Sequence, residues 1–403
     1  MSKSSHHLSA VPLIAATSLS LIALVFAQRN SPQAASSQPA IQKQTRLAPV
    51  FSNGAKAKRQ RKASKRSGIP TQKAAVEKSP TKSVRPAPVL APKSPAKLAL
   101  PGRIFAPNSF WYQAIPKDAP LQANSANLAA EFVRQVKAYY GTVNINTTDY
   151  AGPIYVVGPD VKPVQVTEWD AQNKGFKDPK LAAQWRAVAI PDYAVPADGT
   201  DMEMCIYQPS TDSMWEFWLA RKVDGQWQAA WGGGMQKVSK NAGIWDRPYG
   251  ATATGLPFIG GQITPDELRR GAIDHVMGIA LVDLENWDVV SWPASRSDGW
   301  NPKKEPNRIP EGSRFRLDPG VDVEALNLSP VGKTIARAAQ KYGFVVWDKA
   351  GAISLRAGNP KSYTQRGEKD PYPELFDGKE AWSILQGFPW EKLQFLPMNY
   401  GQP

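Results

Sequence analysis

The runs Met202–Gln208 (MEMCIYQ), Ser213–Lys222 (SMWEFWLARK) and Gln226–Gly232 (QWQAAWG) decide how this chain is read. They are separated by Pro209-Ser210-Thr211-Asp212 and by an Asp224-Gly225 turn, a pattern that predicts a three-strand antiparallel meander. Pairing Gln208 with Ser213 and Val223 with Gln226 sets Cys205 opposite Glu216, Glu203 opposite Trp218 and Trp218 opposite Trp231. One surface then carries Met202, Met204, Ile206, Trp215, Phe217, Leu219 and Ala230, a clean core face. The other carries Glu203, Cys205, Glu216, Trp218, Trp227 and Trp231. Two carboxylates beside three indoles suit a sugar-binding cleft, because flat rings cover the apolar faces of sugars and carboxylates accept hydroxyl hydrogen bonds or transfer protons. The same set also suits a second buried layer with one paired Glu, and a one-residue slip of register would dissolve it.

Working outward, further strands are expected at 154–157, 164–167, 276–282, 289–292, 315–317, 344–348 and 352–356. Three helices announce themselves by their caps. Ser125 opens one with the stripe Ala129, Phe132, Val133, Val136, Tyr139 and Tyr140, closed by Gly141. Thr264-Pro265-Asp266-Glu267 has capping-box spacing ahead of Gly271, and Ser329-Pro330 opens a third helix that ends before Gly343. Many short turn-bounded strands with few short helices predict a mainly β fold, an antiparallel β-sandwich or jelly roll.

Charge divides the chain in two. Of the formal +14 in 403 residues, residues 1–104 carry +17 and residues 105–403 carry −3. All 14 Trp follow residue 104. A mildly acidic globule has no nucleic-acid footprint, so specific nucleic-acid binding is not expected. Val11–Ala27 is an apolar run ending in Val25-Phe26-Ala27, which reads as a signal peptide or an N-terminal membrane anchor over residues 1–27 and predicts export. Residues 28–104, rich in Ala, Pro, Ser, Gln and Lys, read as a disordered basic linker. Its densest charge, Lys56 to Lys62 with Lys65 and Arg66, suits anionic envelope polymers or lipid headgroups. Residues 105–403 form the expected globular domain.

Several chemistries are excluded by count or spacing. One cysteine, Cys205, leaves no intrachain disulfide, and three histidines, two of them His6 and His7, leave no multi-His zinc site. Gly332-Lys333-Thr334 lacks the glycine of a phosphate loop, since position 327 is Asn, and no Gly-x-Ser-x-Gly is present. Asp198-Gly199-Thr200-Asp201 with Glu203 matches ordinary turn chemistry better than a calcium loop, and no metal or cofactor is assigned. His275 is the core's one side chain that titrates near neutrality unperturbed. Arg314 and Arg316, alternating around Phe315, could neutralise a uronate, with Tyr249 in a glycine-punctuated loop beside them in a lyase-type set.

From Trp111-Tyr112-Gln113 to Pro389-Trp390 the chain resembles a family of uncharacterised secreted bacterial proteins. The stretches that carry this are Tyr207-Gln208-Pro209-Ser210-Thr211-Asp212, Trp215-Glu216-Phe217-Trp218, Ala253-Thr254-Gly255-Leu256-Pro257 with Gly260-Gly261, and Asp274-His275. Pro310-Glu311-Gly312-Ser313-Arg314-Phe315-Arg316-Leu317-Asp318-Pro319 and Tyr342-Gly343 with Asp348 complete the pattern. The resemblance implies an exported globule and carries no activity with it.

The expectation that follows is an exported glycan-interacting protein, a glycoside hydrolase or polysaccharide lyase acting on extracellular or envelope polysaccharide. Glu216, Glu203 and His275 would take the acid–base roles, with Trp218, Trp227, Trp231, Tyr249, Arg314 and Arg316 binding substrate. The competing expectation is a non-catalytic envelope carbohydrate-binding or structural protein. A sugar platform needs exposed indoles, whereas a core hides them.

Overall fold

The computed structural model describes residues 98–403; the apolar run Val11–Ala27 and nearly all of the basic linker lie outside the described residues. The chain is mainly sheet with a few short helices. In order, the strands are β1 (Asn144–Asn146), β2 (Ile154–Val156), β3 (Val166–Glu168), β4 (Met204–Gln208), β5 (Ser213–Trp218), β6 (Arg221–Val223), β7 (Gln226–Ala229), β8 (Trp231–Gln236), β9 (Met277–Leu281), β10 (Arg314–Leu317), β11 (Phe344–Lys349), β12 (Ser354–Arg356) and β13 (Leu393–Phe395). The helices used below are α1 (Ser125–Ala138), α2 (Pro179–Gln184), α3 (Phe258–Gly261), α4 (Pro265–Arg270) and α5 (Pro330–Lys341). Among the described residues no helix is long and apolar enough to cross a membrane.

Three mixed sheets result, ordered β1-β12-β9-β11-β10-β13, β2-β4-β5-β8 and β3-β7-β6, and none is closed. The expectation of a mostly antiparallel sandwich is corrected here to three mixed sheets. β1 with β12, β9 with β11, β2 with β4 and β3 with β7 are all parallel. A parallel pair needs a crossover of about a dozen residues or more. The stretch of chain between β2 and β4, which includes β3 and α2, supplies one. Reading tight turns finds hairpins but is blind to such pairings.

The central hairpin has the expected register, with Cys205 opposite Glu216, Gln208 opposite Ser213, Trp218 opposite Trp231 and Val223 opposite Gln226. The meander itself is cut in two. At Leu219 the backbone turns left-handed (φ 54°), so Ser213–Lys222 is not one strand. Leu219 and Ala220 donate instead to Asp201 and Met202. β5 therefore stays with β4 and β8, while β6 and β7 join β3 in another sheet. Residues 289–292, expected as a strand, are irregular: Val289 N–H closes a turn on Asn286 O, and Ser291 N–H donates to Glu311 O. Tyr140 is not on a buried stripe either: α1 stops at Ala138, and Tyr140 is exposed.

Three apolar layers hold these sheets. On one side of the six-stranded sheet, Phe132 and Val136 of α1 and Ile335 and Ala339 of α5 pack on Met277, Ile279, Phe315, Phe344, Val346 and Leu355. Its other side gives Val345 and Trp347 to a layer shared with Ile154, Val156, Cys205, Tyr207 and Met214 of the four-stranded sheet. The far side of that sheet gives Tyr155, Met204, Ile206, Trp215 and Phe217 to a layer with Leu181 and Trp185, which also takes in Val166 and Trp227. Alternating residues of β4 and β5 thus go to opposite faces, as the period of two requires. Both faces are covered.

The caps hold as well. Thr264 and Glu267 form a reciprocal capping box, with Gly271 at φ 71° closing α4, and Ser329 Oγ accepts from Gly332 N–H at the start of α5. Ser125 begins α1 rather than capping it, and its Oγ accepts from Phe395 N–H on the sheet edge.

Candidate functional site

Glu216 stands mid-strand on β5, on the face that meets the six-stranded sheet, and is 0 % exposed. One carboxylate oxygen accepts from Ile259 N–H at 3.1 Å and the other from Trp245 Nε1–H at 3.2 Å. Burial pushes its pKa up to about 8, against the pull of those two donors. Its cross-strand neighbour Cys205 is buried too, and burial followed by repulsion from Glu216 raises the thiol well above its usual value. Glu203, just before β4, is buried and raised by burial to about 7. Its Oε2 accepts from Arg356 Nη1 at 2.6 Å, and Arg356 Nη2 reaches Asp348 at 2.6 Å. A single guanidinium on β12 therefore joins a carboxylate beside the four-stranded sheet to one on β11.

His275 lies apart from this group. Its Nδ1–H donates to Val276 O at 2.8 Å, and Nε2 meets Glu267, the capping-box residue of α4, at 3.2 Å. Burial works against the charged ring, but the charge and hydrogen bond of Glu267 outweigh it and raise the His275 pKa. Glu267 moves the opposite way: burial raises it, yet His275 and Thr264 bring it below the usual value. Both ring nitrogens face acceptors, an arrangement that favours the protonated ring.

The expected substrate-binding residues are dispersed. Trp218 and Trp231 are paired across β5 and β8 and partly exposed. The Trp218 indole donates to Asp201 at 3.1 Å, and Trp231 stacks on Tyr249 with Lys174 Nζ 4.4 Å from its ring centre. Trp227, on the other sheet, is 6 % exposed. Tyr249 OH donates to Asp178 at 3.2 Å. Arg314 is buried against Phe110 and donates to Tyr342 O, while Arg316 donates to Gln394 and to the carbonyls of Pro116 and Lys117. Each of these groups already has protein contacts, and the two arginines serve the chain's own backbone.

A second carboxylate group escaped the sequence reading. Asp298, Glu311 and Asp348 bring carboxylate oxygens to within 4.8 Å of one another. Their neighbours in sequence look like turn residues: Glu311 sits between Pro310 and Gly312, and Asp298 precedes Gly299. The backbone nevertheless locks them together. Asp298 N–H donates to Glu311 Oε2 at 3.0 Å, Ser291 N–H to Glu311 O at 2.9 Å, and Gly312 N–H to Val346 O at 2.8 Å. A side chain at Gly312 would meet Ser291 O at 1.6 Å, so glycine is required there on space as well as on its φ of 84°.

Two exposed indoles lie on either side of Asp298 in the sequence. Trp287 is 43 % exposed and Trp300 45 %. The loops that carry them are stitched by buried Asn301, which donates to Glu285 Oε1 at 2.9 Å and to Glu305 O at 3.0 Å. Asn301 N–H also reaches Asn286 Oδ1, and Gly299 passes so close to Glu285 O that a Cβ would stand 2.0 Å from it. Trp287 and Trp300 were legible only as two more Trp in a loop. No family of known proteins, curated protein or solved structure matches this chain.

Proposed function

We propose that this chain is a glycan-interacting protein that binds without cleaving. The observation that carries this reading is the contrast in accessibility. Glu216, Glu203 and His275 are each enclosed with protein partners, while Trp287 and Trp300 stand open on one cross-braced pair of loops. A side chain must touch the reacting atoms to catalyse, whereas a sugar platform needs only an accessible, pre-positioned ring. Carboxylates poised at about 7 and about 8 would suit acid–base work, and they favour the hydrolase or lyase reading as the alternative.

Export, inferred from the apolar run Val11–Ala27, would place the globule where glycans are encountered, and the basic linker would add salt-sensitive retention on anionic polymer or lipid. The test is retention of the secreted chain on insoluble cell-wall polysaccharide, followed by titration with its soluble oligosaccharides. Trp300→Ala and Trp287→Ala should each weaken oligosaccharide binding about tenfold, equivalent to ~1.4 kcal/mol, while Glu216→Gln leaves it intact. Release of reducing ends or unsaturated products, lost in Glu216→Gln, would establish the enzyme instead. Unchanged binding by both Trp variants would remove the platform.

A further inference from the structure

The carboxylate trio of Asp298, Glu311 and Asp348 gathers buried oxygens to which the protein supplies no donor. Glu311 is 0 % exposed, and its Oε1 has no hydrogen-bond partner; Oδ1 of Asp298 has none either. A buried carboxylate oxygen left without a donor costs several kcal/mol, so such atoms are found where something else satisfies them. The surrounding cations do not do so. Arg356 spends one nitrogen on Asp348 and another on Glu203. Arg296 spends its donors on the carbonyls of Pro248, Gly250, Thr252 and Ala253. Lys349 and Arg296 act on Asp298 only through space.

We infer that Asp298, Glu311 and Asp348 bind a divalent cation of calcium's class. Calcium takes carboxylate oxygens at about 2.3–2.6 Å in flexible shells, so three oxygens no more than 4.8 Å apart can all touch one ion. An all-oxygen donor set disfavours zinc and copper, which prefer nitrogen and sulfur. Magnesium, held at about 2.0–2.1 Å in a strict octahedron, dehydrates reluctantly and is seldom held by a cage of protein carboxylates. Asp298 and Asp348 are each partly exposed, which leaves a side from which an ion and its waters enter. The inference does not depend on glycan binding.

The test uses the secreted chain stripped with chelator, then titrated with calcium chloride or magnesium chloride. Calorimetry should show one calcium site, and calcium at about a hundredfold its Kd should raise the melting temperature by roughly 5 °C. Terbium, a calcium substitute excited through nearby indoles, should luminesce on binding. Trp300→Phe should dim that signal without abolishing calcium binding. Glu311→Gln and Asp298→Asn should each lose the calcium shift; two positions are used because either variant alone could fold poorly. If the wild-type chain shows neither a calcium-dependent shift nor terbium emission, the inference fails. Glu311→Gln would then melt above the wild type in chelator, because the trio is a proton-sharing cluster relieved by losing a charge. A magnesium response equal to or greater than calcium's would overturn the calcium-class assignment.

Discussion

Glu216 and Glu311 are both carboxylates with no measurable exposure, yet they are treated in opposite ways. Each oxygen of Glu216 has a donor, from Ile259 N–H and from Trp245 Nε1–H, and nearby Glu203 has Arg356. Glu311 has one oxygen tied to Asp298 N–H and one, Oε1, without a donor in hydrogen-bond geometry, with Ser297 and the Asp298 carboxyl its other polar neighbours. The first arrangement is what packing two sheets around a polar residue demands: once water is excluded, the protein itself must supply the partners. The second leaves a position that only a ligand or a proton can fill. Burial alone therefore does not distinguish the two acids; the tally of unpartnered oxygens does.

That contrast can be broken most severely at Arg356. Arg356→Met would strand Glu203 and Asp348 without their shared guanidinium, and removing one partner of such a buried pair costs about 3–5 kcal/mol. Thermal unfolding followed by circular dichroism should show the largest loss of any variant discussed here. A melting temperature near that of the wild type would mean the link between the sheets is dispensable.

The His275–Glu267 pair sharpens the comparison by its pH window. His275 is raised above 6.5, so its contribution is complete below that value and is lost as pH climbs through the folded pKa. Glu267 is depressed below 4.5, so its contribution is complete above that value and is lost as pH falls. The stability gap between wild type and His275→Gln should thus be widest between pH 4.5 and 6.5, at roughly 1–3 kcal/mol. A gap that grows above pH 8 would contradict the ion pair.

Glu216→Gln should cost less, about 1 kcal/mol at pH 5, because the amide mimics a carboxyl that is still protonated there. The sign then changes with pH. The folded chain keeps the Glu216 proton to about 8 whereas the unfolded chain loses it near 4.5, so wild-type stability drains as pH rises between those values. Glu203, raised to about 7, drains it in the same direction in both proteins, and its charge adds to the rise of Glu216. The variant should therefore gain on the wild type from pH 5 to 9. Parallel pH curves would show that Glu216 is not held neutral.

The smallest effect on folding belongs to the exposed rings. Trp287→Ala should change stability by less than about 0.5 kcal/mol, measured by denaturant midpoint. A loss of several kcal/mol would make Trp287 a packing residue and take it out of any binding surface.

What could be read beforehand followed local rules. Met204, Ile206, Trp215 and Phe217 alternate with Cys205 and Glu216, and that period carried the β4–β5–β8 register. The Thr264–Glu267 box gave α4 its boundary. The break at Leu219 was hidden because leucine carries no turn signal, and the left-handed residue follows from the chain's transfer to another sheet. The trio was hidden for a different reason. Asp298 and Asp348 are 50 positions apart in sequence, and Glu311 looks like part of a Pro-Glu-Gly turn. The antiparallel pairing of β10 with β11 sets Glu311 beside Asp348, and the loop between β9 and β10 folds Asp298 back onto Glu311, so neither contact is visible in local sequence. Glu216 showed its face correctly but not what lay over it, since the covering residues Trp245 and Ile259 come from a stretch with no periodic pattern.

Cys205 turns the layer between the two sheets into a reporter of its own opening. The chain's one thiol lies on the inner face of β4, enclosed and held in its unreactive protonated form. A thiol-directed reagent can reach it only when the sheets part, so the labelling rate under mild conditions counts those excursions and yields their free energy without any engineered probe. A slow, denaturant-sensitive rate would say that the sheets separate only with global unfolding. A faster rate insensitive to denaturant would reveal a breathing motion on the side of the molecule where Glu216 is kept from water.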